Sequence, residues 1–107
     1  MTETLVKNEE AARYELVIDG RVASILEYRE RGDVIALTHA ETRGDMRGNG
    51  LAAKVTDFAL ADVRSQGRKV DPICFFVAEH MQHHEEQFGE LLVQDPHASY
   101  CEIERRL

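Results

Sequence analysis

The chain has no tryptophan, two prolines and two cysteines, and aromatic residues make up only 7% of it. Each scarcity removes a class of protein. Two cysteines, Cys74 and Cys101, cannot staple a small secreted fold, and no Cys-x-x-Cys spacing occurs, so reduced thiols in a cytoplasm are expected. So few aromatic rings offer no platform for stacking nucleobases. No apolar run approaches the ~20 residues needed to span a bilayer. Met1 to Ala12 is polar and acidic, unlike a secretory leader. Basic residues are also outnumbered, 13 against 20 acidic ones, for a net charge of -7. A general nucleic-acid binder needs a basic face to displace counterions, so neither nucleic acid nor a membrane is expected as a partner. The acidity reads first as a solvated surface, and it is compatible with a cationic or amine partner.

What remains is an ordinary soluble composition. With 43% hydrophobic and 31% charged residues, 107 residues suffice for one core and are too few for two. Tyr14, Leu16 and Ile18 alternate as a strand from Arg13 to Ile18. Asp19-Gly20 is a two-residue hairpin signal, because a type I′ turn needs positive φ at both positions. Val22 to Tyr28 reads as the return strand, and Arg29 to Asp33 as a second turn. Val34 to Thr42 is a third strand, apolar enough at its start to be buried on both faces. A short strand near Leu5-Val6 is only weakly patterned.

From Gly50 to Gln66, residues Leu51, Ala52, Val55, Phe58, Ala59 and Val63 cover one helical face, and Gly67 is a natural stop. Asp62 falls inside that stripe. Val70 to Phe76 reads as a fourth strand with Pro72 inside it, interrupted where the proline lacks a ladder donor. Val77 to Phe88 reads as a second, histidine-rich helix, followed by a tail. The order β-β-β-α-β-α implies one α+β domain, in which the long helix is the crossover between parallel strands three and four.

The loop before that helix is the most informative segment. In Arg47-Gly48-Asn49-Gly50-Leu51-Ala52, glycine allows left-handed turns and close approach of a ligand to the main chain. The first amides of a helix have no intrahelical partner and carry partial positive charge, so this loop is a candidate phosphate cradle. The same glycines also serve loops for steric reasons alone.

With its surroundings, the loop resembles a known family. Arg47, Gly50 and Ala52 match the Arg/Gln-x-x-Gly-x-Gly/Ala pyrophosphate loop of the GNAT superfamily of acetyl-CoA-dependent N-acetyltransferases. His39-Ala40-Glu41-Thr42 precedes it, and Pro72-Ile73-Cys74-Phe75-Phe76-Val77 follows, as in the minimal single-domain members of YjdJ-like type. Arg43 and Phe75 stand where that type carries proline, and His84-Glu85-Glu86 only partly matches its last motif. The similarity spans about residues 6–92 of a single domain, leaving 93–107 as a tail.

This resemblance implies a minimal GNAT-like fold, a mostly antiparallel sheet with a splayed parallel pair and two main helices. It implies acetyl-CoA or CoA as co-substrate, held by Thr42, Arg47, Gly48, Asn49, Gly50, Leu51 and Ala52, with transfer of acetyl to an amine on a small molecule or a lysine side chain. His39 is then a candidate base, and Cys74 a candidate proton donor to the departing thiolate or acetyl acceptor. A core cysteine and a strand histidine bonded to backbone are the plainer readings. The alternative function is a CoA-binding sensor or interaction module with little catalysis. His80 is expected to face the CoA arm or to lie on the surface. Glu41 and Glu79 are candidate contacts for a cationic substrate. His80 and His84 lack the Glu of a His-Glu-x-x-His site, so no metal is expected. A monomer or weak homodimer is expected.

Overall fold

The computed structural model describes residues 2–93. Strand β2 (Arg13–Ile18) buries Tyr14, Leu16 and Ile18, as its alternation requires. Asp19 and Gly20 follow with φ of 51° and 81°, the pair of positive values that a type I′ turn demands. Strand β3 (Arg21–Arg31) runs past the expected end at Tyr28. The second turn contracts to Gly32-Asp33, with Gly32 at φ 63°, and β4 (Val34–Thr42) returns from it.

Strand β1 (Glu3–Asn8) is longer than the fragment near Leu5-Val6, pairing with β2 from Glu3 opposite Ile18 to Asn8 opposite Arg13. Its outer position leaves Glu3, Thr4 and Leu5 exposed, so it carries little apolar alternation. What ties it down is cross-chain: Lys54 Nζ lies 2.9 Å from the Glu3 carboxylate, and Lys7 Nζ lies 3.0 Å from that of Asp62.

Helix α1 (Leu51–Ser65) crosses back over the sheet and buries Leu51, Val55, Thr56, Ala59, Leu60 and Val63. Strand β5 (Lys69–Pro72) then pairs in parallel with β4, from Val34 opposite Lys69 to Leu37 opposite Pro72. The sheet order is β1-β2-β3-β4-β5, antiparallel except for this last pair.

Two sequence-based expectations are corrected at this point. The fourth strand does not reach Phe76. Pro72, with no N–H to give, ends it, and Phe75 already belongs to helix α2 (Phe75–His83). The second helix is not continuous to Phe88 either. It breaks at His84, whose φ of -122° and ψ of 41° leave the helical region, and α3 (Glu85–Phe88) resumes after it. A 3-10 turn over Gly89–Leu91 leads to Leu92, which bridges Val70 along the outer edge of β5. Most of the expected tail, Pro96 and Cys101 included, lies outside the described residues.

One core unites these elements: Leu16, Leu26 and Leu37 from the sheet with Val55, Leu60, Val63, Val77 and Met81 from the helices. Asp62 stays at its rim. It accepts a 2.7 Å hydrogen bond from the Tyr14 hydroxyl and a 2.8 Å bond from Gln66. Partial burial works against the Asp62 carboxylate, but the bonds from Tyr14, Lys7 and Gln66 outweigh it and hold the carboxyl below its ordinary range. Burial first, and the same carboxylate second, push the Tyr14 hydroxyl far above its ordinary range. Among the described residues no helix is long and apolar enough to cross a membrane.

Candidate functional site

The site begins where β4 and β5 part. Thr38 is the extra residue of a bulge in β4: Tyr28 pairs with Leu37, and Glu27 pairs with His39. The last bond across the parallel pair is from the Cys74 N–H to the Leu37 carbonyl, 2.8 Å. Beyond it the chain turns into α2, so Thr38 to Thr42 of β4 keeps β3 on one side and, among the described residues, has no paired strand on the other. The burial pattern changes at the same point. Ile35, Ala36 and Leu37 are buried, whereas His39 and Glu41 are exposed. The splay expected from the resemblance is therefore produced by a bulge and a proline acting on opposite strands.

The second wall is the loop into α1. Gly48 and Gly50 have φ of 84° and 71°, left-handed values that strain any side-chain-bearing residue. Gly50 is the residue before the helix, and no side chain caps it. The first intrahelical bond runs from the Lys54 N–H to the Gly50 carbonyl, 3.2 Å. The amides from Gly50 to Ala53 are thus left to an external acceptor. A Cβ on Gly48 or Gly50 would meet nothing among the described residues within 4 Å. The glycines are not packed against anything; they keep an open cradle open.

Strand edge and cradle enclose a groove of about 610 Å³, lined by His39, Ala40, Glu41, Thr42, Met46, Arg47, Gly48, Gly50, Leu51, Ala52, Ala53 and Phe76. Eight residues singled out in the sequence are together here: His39, Glu41, Thr42, Arg47, Gly48, Gly50, Leu51 and Ala52. Asn49 is not among them. Its side-chain amide turns back to the Met46 carbonyl at 2.9 Å and shapes the loop. Arg47 makes one long contact, 3.4 Å from Nε to the Thr42 carbonyl, so most of its donors remain available. His39 is 56% exposed, with Nε2 3.8 Å from the Glu41 carboxylate.

Cys74 does not line the groove; it is half-buried, with a free thiol, immediately before the first turn of α2. The sequence placed it in a strand end, and the structure makes it the N-cap of a helix. Phe76 was missed as a site residue because it was assigned to the same strand. As the second residue of α2 it forms the lip of the groove. The signal available in the sequence was Pro72, which ends the strand and leaves too few residues for another paired stretch.

His80 is neither on the groove nor on the surface. Its side chain is 9% exposed and its Nε2 lies 2.7 Å from Asp57 Oδ1 of α1, while its ring stacks on Phe76 at 6.0 Å. It therefore braces the two helices that flank the groove. Glu79 is exposed and outside the groove lining. Among the described residues, no cluster of three or more His, Cys, Asp or Glu side chains is placed to hold a metal.

The comparison with known proteins agrees with this architecture. A GCN5-like protein from Staphylococcus aureus, solved in solution by NMR, superimposes with a TM-score of 0.64 over 89% of this chain and 92% of its own. At 18% identity, that likeness is one of fold. No curated protein matches the chain. A family model described as GCN5-related N-acetyl-transferase matches residues 13–91, from β2 through the splayed strands to the last turn. The chain belongs to the GCN5-related N-acetyltransferase family.

Proposed function

We propose that the protein transfers an acetyl group from acetyl-CoA to an amine, either on a small molecule or on a lysine side chain. The observation that carries this reading is the groove. Among the described residues it has uncapped helix amides on one wall and an unpaired strand edge on the other. The amides of Gly50 to Ala53, with Arg47, suit a diphosphate. The edge of Ala40 to Thr42 suits the two amides of a pantetheine arm, which would add to the sheet as a short strand. The coenzyme, when bound, supplies a thioester-activated acetyl group.

The chain's own residues would do the rest. His39 takes the proton released by the attacking amine, and the Glu41 carboxylate lies beside it, 3.8 Å from Nε2. Cys74, off the groove lining, would return a proton to the departing sulfur through an intervening water and regain one from solvent. Met46, Leu51 and Phe76 supply apolar contact along the arm. The free Cys74 thiol suits a reducing, cytoplasmic compartment, and the proposed state is a monomer or weak homodimer.

A second reading is favoured by one observation. His39 and Glu41 are 56% and 66% exposed, so among the described residues no wall encloses an acceptor. That arrangement suits a CoA-sensing module with little turnover. Calorimetric titration with acetyl-CoA, CoA and ATP, followed by thiol release across an amine panel, separates the two. Saturable acetyl-CoA binding with thiol release supports transfer. Binding without thiol release supports the sensor, and no coenzyme binding refutes both.

A further inference from the structure

A second hollow opens beside the groove, about 350 Å³, and shares Glu41, Thr42 and Arg47 with it. Three arginines meet there: Arg13 from β2, far along the chain, with Arg43 just past β4 and Arg47 of the cradle loop. In a chain of net charge -7 this convergence is not what composition favours. Their carboxylate partners use little of them. Glu15, buried and also held by Asn8, accepts only from Nε of Arg13, at 2.7 Å. Asp45 accepts from one terminal nitrogen of Arg43, at 2.8 Å, in an exposed pair of the kind that contributes little. Arg47 has no carboxylate partner among the described residues. The Glu15 contact engages Nε alone, and among the described residues neither terminal nitrogen of Arg13 has a hydrogen-bond partner. Planar forks with unused donors are the side-chain chemistry that recognises phosphate. Ser24 adds a hydroxyl to the lining, already bonded to Thr42 Oγ1 at 2.9 Å.

We propose that this hollow is an oxyanion subsite of phosphate class, read by Arg13, Arg43 and Arg47. It rests on the proposed coenzyme groove, because Arg47 serves both spaces. One source of the anion is the 3′-phosphate of the coenzyme, which is separated from the diphosphate by a single ribose. The other is a phosphate carried by the acceptor.

The test compares CoA with 3′-dephospho-CoA by calorimetry on the wild-type protein, so that no side chain need be changed. It then repeats both titrations on Arg43→Ala, whose side chain is 30% exposed and whose backbone bond to Ala23 is retained. Loss of one charge-assisted bond is expected to leave 3′-dephospho-CoA bound about tenfold or more weaker than CoA, with Arg43→Ala erasing the difference. That result assigns the hollow to the 3′-phosphate. If the two coenzymes bind equally, inorganic phosphate is titrated into protein saturated with dephospho-CoA. Phosphate binding that Arg43→Ala abolishes assigns the hollow to an acceptor's phosphate. Equal coenzyme affinities with no Arg43-dependent phosphate binding overturn the subsite and leave the groove standing. If no coenzyme form binds, the groove reading fails, and inorganic phosphate on the unliganded protein alone decides the hollow.

Discussion

Two glycines in this chain have nearly the same backbone and opposite expected importance. Gly50 before α1 has φ 71°, and Gly67 after α1 has φ 68°. A Cβ added at either would meet nothing among the described residues within 4 Å. Alanine at either site therefore meets the same folding penalty, a left-handed backbone costing roughly 1 kcal/mol, or about 4–8 °C in Tm for a domain of this size. The groove distinguishes them, because Gly50 lines it and Gly67 does not. A methyl at Gly50 intrudes where a diphosphate would approach the amides of Gly50 to Ala53. Losing one charge-assisted bond costs about 1.5–3 kcal/mol, or about 10- to 150-fold in Kd. Gly50→Glu adds like charge and should abolish acetyl-CoA binding. The assay is calorimetric Kd beside thermal melting for wild type, Gly50→Ala, Gly50→Glu and Gly67→Ala. Equal binding loss in the two alanine variants, or an unchanged Kd in Gly50→Glu, would refute the cradle.

Further outcomes can be checked directly. Cys74→Ala should lower kcat for thiol release with little change in acetyl-CoA Kd, since Cys74 lies off the groove lining; unchanged turnover removes it from the reaction. Stability should fall at both pH extremes. Asp62 and Glu15 sit below their ordinary values of 3.8 and 4.5, so their stabilisation is present above those values and lost as acid protonates them. Tyr14 and Lys7 are raised above 10.0 and 10.5, so theirs is present below those values and lost as pH rises beyond them. Denaturant midpoints across pH 2–12 check both, and Asp62→Asn should flatten the acid limb; a midpoint flat from pH 7 to 2 would refute these assignments.

Much of the fold was legible because its determinants are local. The turn at Asp19-Gly20 needs only two residues that tolerate positive φ. Helix α1 needs only an apolar stripe of helical period followed by Gly67. The cradle from Arg47 to Ala52 is contiguous in sequence, so its glycines and its helix start could be read together, and the parallel crossover follows from strand, long helix and strand in succession. Within β4 the burial limit at Leu37 was half visible, as an apolar start followed by His39 and Glu41.

The rest depended on partners far along the chain. Whether Ile73 to Phe76 continue a strand is decided by what lies beside them, and the Leu37 carbonyl takes its last bond from Cys74 just as Pro72 ends the ladder. That event makes Cys74 a helix cap and Phe76 a groove lip. Strand β1 gains its stability from β2, Lys54 and Asp62, none of which its own residues announce. His80 is turned away from the groove by Asp57, 23 residues earlier. Arg13 reaches the neighbourhood of Arg43 and Arg47 only because β2, β3 and β4 pair in this register. Sequence pattern determined which segments are strand, turn and helix, since backbone propensity and period act within a few residues. Only the tertiary structure decided which side chains share a space, because that requires hydrogen-bond register and packing between segments the chain itself keeps apart.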